Sequence, residues 1–246
     1  MFSFFKKKID YNATNHLLVD LHSHLIPGID DGAKNLEESI ELILKLKSLG
    51  YKKIITTPHV MIDSYPNSKN TIIKGLENLQ RELIKRGIDI NIEASAEYYI
   101  DEGFIKLLKN HQLIPILNKY ILFETSYISK PFNLEEIIFE ISQKGYIPIL
   151  AHPERYRYIK NHKDEYTKLK ELGVMFQLNA NSLIGYYGKD AQIKANYLIE
   201  NSLIDFIGSD THRQRHLLIL EEVLRNKSIW DKILNKNKIL NNTLID

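Results

Sequence analysis

The sequence predicts a single-domain α/β protein whose parallel strands close into a barrel, and three observations predict it. The chain has 246 residues, about the length of one α/β barrel. Seven short apolar runs, rich in β-branched and aromatic residues, alternate with longer segments of helical period; strands joined by such helices pair in parallel through crossovers. Every run is followed at its carboxyl end by histidine, carboxylate or amide side chains. Periodicity alone allows an open doubly wound sheet as well as a barrel. An open sheet would spread these polar groups along an edge, whereas a barrel gathers them at one mouth.

Taken in order, the first run covers 17–21 and is followed by His22 and His24, then Asp30 and Asp31 before Gly32. Strand alternation is expected to turn both histidines to one side, with either aspartate able to reach back. A helix over 35–49 opens with Asn35 and Glu38 at capping-box spacing and stops at Gly50. The second run, 53–57, leads to His59, and a helix over 70–86 stops at Gly87. The third run, 90–94, leads to Glu97 and a short helix over 101–109. The fourth, 120–124, ends on Glu124 and precedes a helix over 133–144 that stops at Gly145. The fifth, 147–151, delivers His152 and Arg155 ahead of a helix over 163–172 ending at Gly173. The sixth, 174–178, delivers Asn179 and Asn181, and a helix follows over 189–201. The seventh, 204–208, delivers Asp210 and His212, after which a last helix begins. No linker or low-complexity tract marks a second domain, so 1–16 is expected as an N-terminal extension and 17–246 as the domain.

Composition narrows the function classes. The net charge of +2 points away from nucleic acid. With no cysteine, disulfides, thiolate zinc sites, iron–sulfur clusters and cysteine nucleophiles are excluded, and a cytoplasmic location is expected. No stretch approaches the roughly 20 apolar residues of a membrane span. Phe2, Phe4 and Phe5 beside Lys6, Lys7 and Lys8 do not form a signal peptide; a docked terminus or a peripheral membrane contact fits them.

Singly, His59 or His152 reads as a hydrogen-bonded loop histidine, and Glu97 or Glu124 as a structural ion-pair partner. Together they recur at the same end of successive strands, which a structural role does not require. Imidazole and carboxylate suit zinc, manganese and iron. Some nine candidate ligands exceed the needs of one ion, so two or three are implied, with Glu97 a candidate bridge. His16, His111, His162 and His216 lack such a setting and read as ordinary.

The segments His22-Ser23-His24 … Asp30-Asp31-Gly32, Thr57-Pro58-His59, Ala96-Glu97-Tyr98-Tyr99, His152-Pro153-Glu154-Arg155 and Ser209-Asp210-Thr211-His212 together resemble the PHP (polymerase and histidinol phosphatase) superfamily of metal phosphoesterases. Within it they resemble most closely the bacterial manganese-dependent protein-tyrosine phosphatases that regulate capsule. The resemblance covers nearly the whole chain. It implies a distorted seven-stranded (β/α) TIM-like barrel holding three divalent ions, manganese being expected and iron or zinc the alternatives. By motif match, His22, His24, Glu97 and Asp210 hold the first ion. Glu97, Glu124 and His152 hold the second. Asp31, preferred to Asp30 because it precedes the glycine, holds the third with His59 and His212. Glu124 stands where other branches place a histidine, which favours the tyrosine-phosphatase branch. Arg155 matches a phosphate-gripping arginine, and a second such role falls to Arg213 or Arg215.

The implied reaction is direct attack on phosphotyrosine by a metal-bridging hydroxide. The implied substrate is the tyrosine-rich tail of a membrane-associated bacterial tyrosine kinase that controls capsule or exopolysaccharide export. Tyr98, Tyr99, Tyr156 and Tyr158 either line a mouth that stacks on the substrate or simply pack in loops. The alternatives are a histidinol-phosphate phosphatase of the same fold, a nuclease, and a non-catalytic metal-binding module.

Overall fold

The structure, a computed structural model, describes residues 16–245; the N-terminal Phe/Lys segment lies outside the described residues. Nine strands appear among the described residues: β1 (Val19–Asp20), β2 (Lys53–Thr56), β3 (His59–Val60), β4 (Asn91–Ala94), β5 (Glu97–Tyr99), β6 (Tyr120–Glu124), β7 (Ile147–Ala151), β8 (Met175–Asn179) and β9 (Phe206–Gly208). They pair in parallel in two sheets, ordered β1-β2-β4 and β3-β5-β6-β7-β8-β9.

The excess over seven has one cause. The second and third runs each break and resume, as β2 then β3 and β4 then β5. Pro58 falls in the first break and has no N–H for a ladder, while Thr57 N–H donates to Ser23 O at 2.7 Å. The two runs stay paired across the breaks, β2 with β4 and then β3 with β5, while β1 joins β2 before them and β6 joins β5 after them. His59 thereby stands in register with Glu97, and Tyr99 with Glu124.

The curled sheet returns to β1 without a regular ladder. At one end the Asn241 amide accepts from Ile207 N–H and donates to Val19 O at 2.9 Å each, with a further bond to Ile207 O. At the other, Ser209 N–H and hydroxyl both donate to the buried Asp20 carboxylate, and Ser23 bridges Thr211. The ring is thus a distorted barrel of seven strand positions in one domain. Val19, Leu21, Ile55, Tyr120, Leu122, Ile149 and Phe206 fill its interior, closed below by Leu244.

Eight helices surround the sheet among the described residues: α1 (Leu36–Ser48), α2 (Lys69–Lys85), α3 (Glu102–Lys109), α4 (Leu134–Gln143), α5 (His162–Glu171), α6 (Lys189–Glu200), α7 (Gln214–Arg225) and α8 (Lys227–Lys236). Their apolar stripes pack against the outward strand residues Ile54, Ile121, Phe123, Leu150, Phe176, Leu178 and Ile207. Asn35 caps α1 by accepting from Glu38 N–H at 3.0 Å. The Glu38 carboxylate reaches past it to Lys34 N–H, so the reciprocal half of the expected box is displaced by one residue. Gly50 ends α1 with φ at 100°, and Gly87 ends α2 at 66°, conformations glycine adopts without steric cost. The single helix expected after His212 divides at Asn226 into α7 and α8.

Candidate metal centre

The carboxyl ends of the strands converge on one cluster of five imidazoles and four carboxylates: His22, His24, Asp31, His59, Glu97, Glu124, His152, Asp210 and His212. These are the nine residues singled out in the sequence. Their donor atoms form four compact groups, each spanning no more than 4.8 Å: His24, Asp31, His59 and His212; His22, Glu97 and His152; His22, His24 and Asp210; and His59, Glu97 and Glu124. Glu124 thus stands closer to His59 (3.1 Å) than to His152 (3.9 Å).

Glu97 is the hub. Its Oε2 lies 3.1 Å from His22 Nε2 and 3.2 Å from His59 Nδ1, and its Oε1 lies 2.9 Å from His152 Nε2. Asp210 Oδ1 faces His22 and His24 at 3.6 Å, and Asp31 Oδ1 faces His212 at 3.3 Å and His59 at 3.5 Å.

Behind these residues stands a layer that orients them. His22 Nδ1 bonds Gln177 Oε1 at 2.6 Å, which leaves Nε2 turned to the cluster. His24 Nδ1 bonds Asp30 Oδ2 at 2.8 Å, and Asp30 also accepts from His59 N–H and Gly32 N–H. Asp30 therefore braces the cluster while Asp31 enters it. Such buttressing fixes the imidazole tautomer and raises its basicity toward a metal. The close approach leaves no room beyond hydrogen at two glycines. A Cβ on Gly32 would collide with the His24 carbonyl, and one on Gly208 would come 2.8 Å from His22 Cβ. His152 and Asp210 hold left-handed backbone, with φ of 34° and 49°, a local strain that recurs at functional sites.

The electrostatics fit a cation. Burial alone would lower the His22 pKa, but Glu97 and Asp210 beside it outweigh burial and raise it to about 9. Burial likewise opposes ionisation of Glu97 and Asp210, yet the surrounding histidines hold both well below the usual carboxylate range. His152 is lowered, first by burial and then by Arg155, which favours neutral imidazole, the ligating form. Asp31 is exposed and His59 partly so, but the other seven of the nine are buried, where ionisable groups are costly unless compensated. The buried Nδ1 atom of His152 also lacks a hydrogen-bond partner among the described residues. An all nitrogen and oxygen donor set of this density suits divalent transition metals.

Above the cluster opens a cavity of about 580 Å³. Arg155 projects into its wall, with Nη1 donating to Asp210 Oδ2 at 2.8 Å and its guanidinium between the rings of Tyr127 (4.7 Å) and Tyr187 (4.2 Å). Asn179 Nδ2 donates to the same Asp210 oxygen at 2.7 Å. Arg213 lines the cavity, while the Arg215 guanidinium lies 5.6 Å over Tyr186, itself a lining residue.

Of the tyrosines considered, Tyr99 lines the cavity. Tyr98 and Tyr156 are buried, their hydroxyls bonded to Ile114 N–H and Ala151 O, and Tyr158 bonds Thr125 Oγ1. Tyr127, Tyr186 and Tyr187 complete the aromatic wall and carry no spacing signal in the sequence. His216, read as ordinary, lines the cavity from the first turn of α7, four residues beyond His212, with Nδ1 3.0 Å from Asp210 O. Its spacing of four from His212 was the available clue.

A family profile described as "Capsular polysaccharide synthesis, CpsB/CapC" matches residues 18–218. The chain is 31% identical over 237 residues to the tyrosine-protein phosphatase YwqE of Bacillus subtilis (strain 168), covering 93% of each. It is 29% identical over 202 residues to the tyrosine-protein phosphatase CpsB of Streptococcus agalactiae serotype V, covering 79% of this chain and 83% of the relative. A solved structure described as one of YwqE from Bacillus subtilis and CpsB from Streptococcus pneumoniae, "unique metal-dependent tyrosine phosphatases", superposes with a TM-score of 0.77 at 29% identity, covering 90% of this chain and 96% of that one. An amidohydrolase from Mycoplasma synoviae shares the fold at a TM-score of 0.55 and 12% identity.

Proposed function

The chain belongs to the CpsB/CapC capsular polysaccharide synthesis family, and from that premise we propose that it is a metal-dependent protein-tyrosine phosphatase. The observation that carries this reading is the placement of Arg155, held by Asp210 between two tyrosine rings, in an aromatic cavity directly over the cluster of histidines and carboxylates. Three divalent ions are assigned, manganese first, with His22, His24, Glu97 and Asp210 for one, Glu97, Glu124 and His152 for the second, and Asp31, His59 and His212 for the third. The compact groups His22–His24–Asp210 and Asp31–His59–His212 support the first and third assignments.

Bound divalent ions would neutralise the phosphate dianion and lower the pKa of coordinated water toward neutrality. The chain's own residues do the rest. Arg155 gives one N–H to Asp210 and keeps the others for equatorial phosphate oxygens, where developing charge is greatest. Arg213, across the cavity, is the better placed second grip, with Arg215 behind Tyr186. Tyr99, Tyr127, Tyr186 and Tyr187 offer faces and edges to the substrate phenyl ring. Phenolate leaves with an ordinary pKa near about 10, so little general-acid help is required.

The substrate class is phosphotyrosyl protein, and the tail of a bacterial tyrosine kinase acting in capsule export is the proposed partner, met in the cytoplasm. No helix among the described residues is long and apolar enough to cross a membrane. The test is phosphate release from a phosphotyrosyl peptide by protein stripped with chelator and then reloaded with manganese. Turnover only after reloading is expected; equal turnover by stripped protein contradicts the reading.

A further inference from the structure

A second cavity, of about 720 Å³, adjoins the first and shares Tyr127, Ile128, Arg155 and Tyr187 with it. Beyond that shared wall it is lined by Arg157 and Lys189. Both are exposed, and neither side chain has a hydrogen bond or ion pair among the described residues. The Arg157 backbone is nonetheless anchored, its N–H donating to Tyr127 O at 2.7 Å, and Lys189 is fixed as the first residue of α6. The carboxylate in the hollow, Asp190, is already compensated: Lys194 Nζ lies 2.7 Å from it and also donates to Tyr156 O. Two uncompensated cations therefore converge on one concavity, which focuses positive potential there.

We propose that this second cavity is a subsite for an anionic residue of the substrate peptide, flanking the phosphotyrosine whose phosphate occupies the metal centre. The assignment rests on the phosphotyrosine reading above. The wall between the cavities is the Arg155 side chain with its two tyrosine neighbours, and extended chain advances about 3.4 Å per residue, so a residue within a few positions of the reacting tyrosine crosses it. The shared chemistry is negative charge, supplied by Asp or Glu or by a second phosphotyrosine; a substrate phosphorylated at several neighbouring tyrosines would then be held at two sites together.

The experiment compares kcat/KM of the manganese-loaded enzyme on five substrates: p-nitrophenyl phosphate, and phosphotyrosyl peptides with neutral flanks, with acidic flanks, with lysine flanks, and with a second phosphotyrosine. Exposed ion pairs being individually modest, the wild type should favour each anionic peptide over the neutral one by about three- to tenfold, less at high salt. Arg157→Ala with Lys189→Ala should erase that preference through KM, with p-nitrophenyl phosphate turnover unchanged as the check on folding. Arg157→Glu with Lys189→Glu should invert it toward lysine-flanked peptides. Preference for only one of the two anionic peptides identifies the source of the charge. A wild type that treats the neutral and the two anionic peptides alike, or a preference that survives charge reversal, overturns the subsite while leaving phosphotyrosine hydrolysis standing. Failure to hydrolyse any phosphotyrosyl peptide overturns both.

Discussion

Nη1 of Arg155 donates to Oδ2 of Asp210 across 2.8 Å, while the other oxygen of Asp210 faces His22 and His24 at 3.6 Å and His212 at 3.3 Å. One carboxylate thus positions the proposed phosphate grip and also belongs to the proposed ligand cluster. The two functions are separable because Asn179 Nδ2 holds the same oxygen at 2.7 Å.

Arg155→Ala is accordingly expected to keep its metal and lose rate. Removal of a charged donor aimed at the transition state costs about 100- to 1,000-fold in kcat. Arg155→Lys should restore little, since a compact ammonium lacks the planar fork that lies between two rings and grips an oxyanion bidentately. Metal content per chain beside phosphatase kinetics checks this, and a metal-free Arg155→Ala protein would refute the separation.

Gln177 does not line the cavity over the cluster but bonds His22 Nδ1 at 2.6 Å. Gln177→Ala should weaken manganese binding by about 10- to 100-fold, while Gln177→Glu, which keeps an acceptor at Nδ1, should recover most of it. Calorimetric titration of the stripped protein decides. Unchanged affinity in Gln177→Ala would mean that packing alone orients His22.

Glu154 gives a pH prediction outside the cluster. Burial, only partly opposed by the Ser182 hydroxyl, raises its pKa from 4.5 to about 7. A folded-state pKa raised above the unfolded one gives stability that is complete below about 4.5 and is lost as pH rises through about 7. Glu154→Gln keeps an acceptor for Ser182 and for Asn179 N–H and cannot ionise. Its stability relative to wild type should therefore improve between pH near 5 and pH near 8, by up to about 3 kcal/mol. Thermal denaturation at both pH values checks it; a pH-independent difference would contradict it.

Much of the architecture was legible because the helices carry strong periods and explicit ends: Asn35 caps α1, and Gly50 and Gly87 follow helices at positive φ. The breaks at Thr57-Pro58 and Ser95-Ala96 were not. β3 and β5 have only two and three residues, too few to show a period, and they exist because neighbouring strands supply their partners. The nine clustered residues were legible as chemistry, since histidine and carboxylate recur after successive runs. Their support was not: Gln177 lies within an apolar run, and Asn241 acts on strands far earlier in the chain, 34 positions from Ile207 and 222 from Val19. Asp30 and Asp31 are adjacent in sequence, yet the first buttresses His24 and the second joins the cluster. The direction of each side chain in that loop depends on Gly32 packing against the His24 backbone.

The central claim is hydrolysis of phosphotyrosine at a centre built from these nine residues and gripped by Arg155. The most direct test is phosphate release from a phosphotyrosyl peptide and from histidinol phosphate, side by side, with manganese and with chelator, for wild type and Asp210→Ala. The account predicts chelator-sensitive turnover of the peptide, little of histidinol phosphate, and none in the variant. Preference for histidinol phosphate, or wild-type rates in Asp210→Ala, would contradict it.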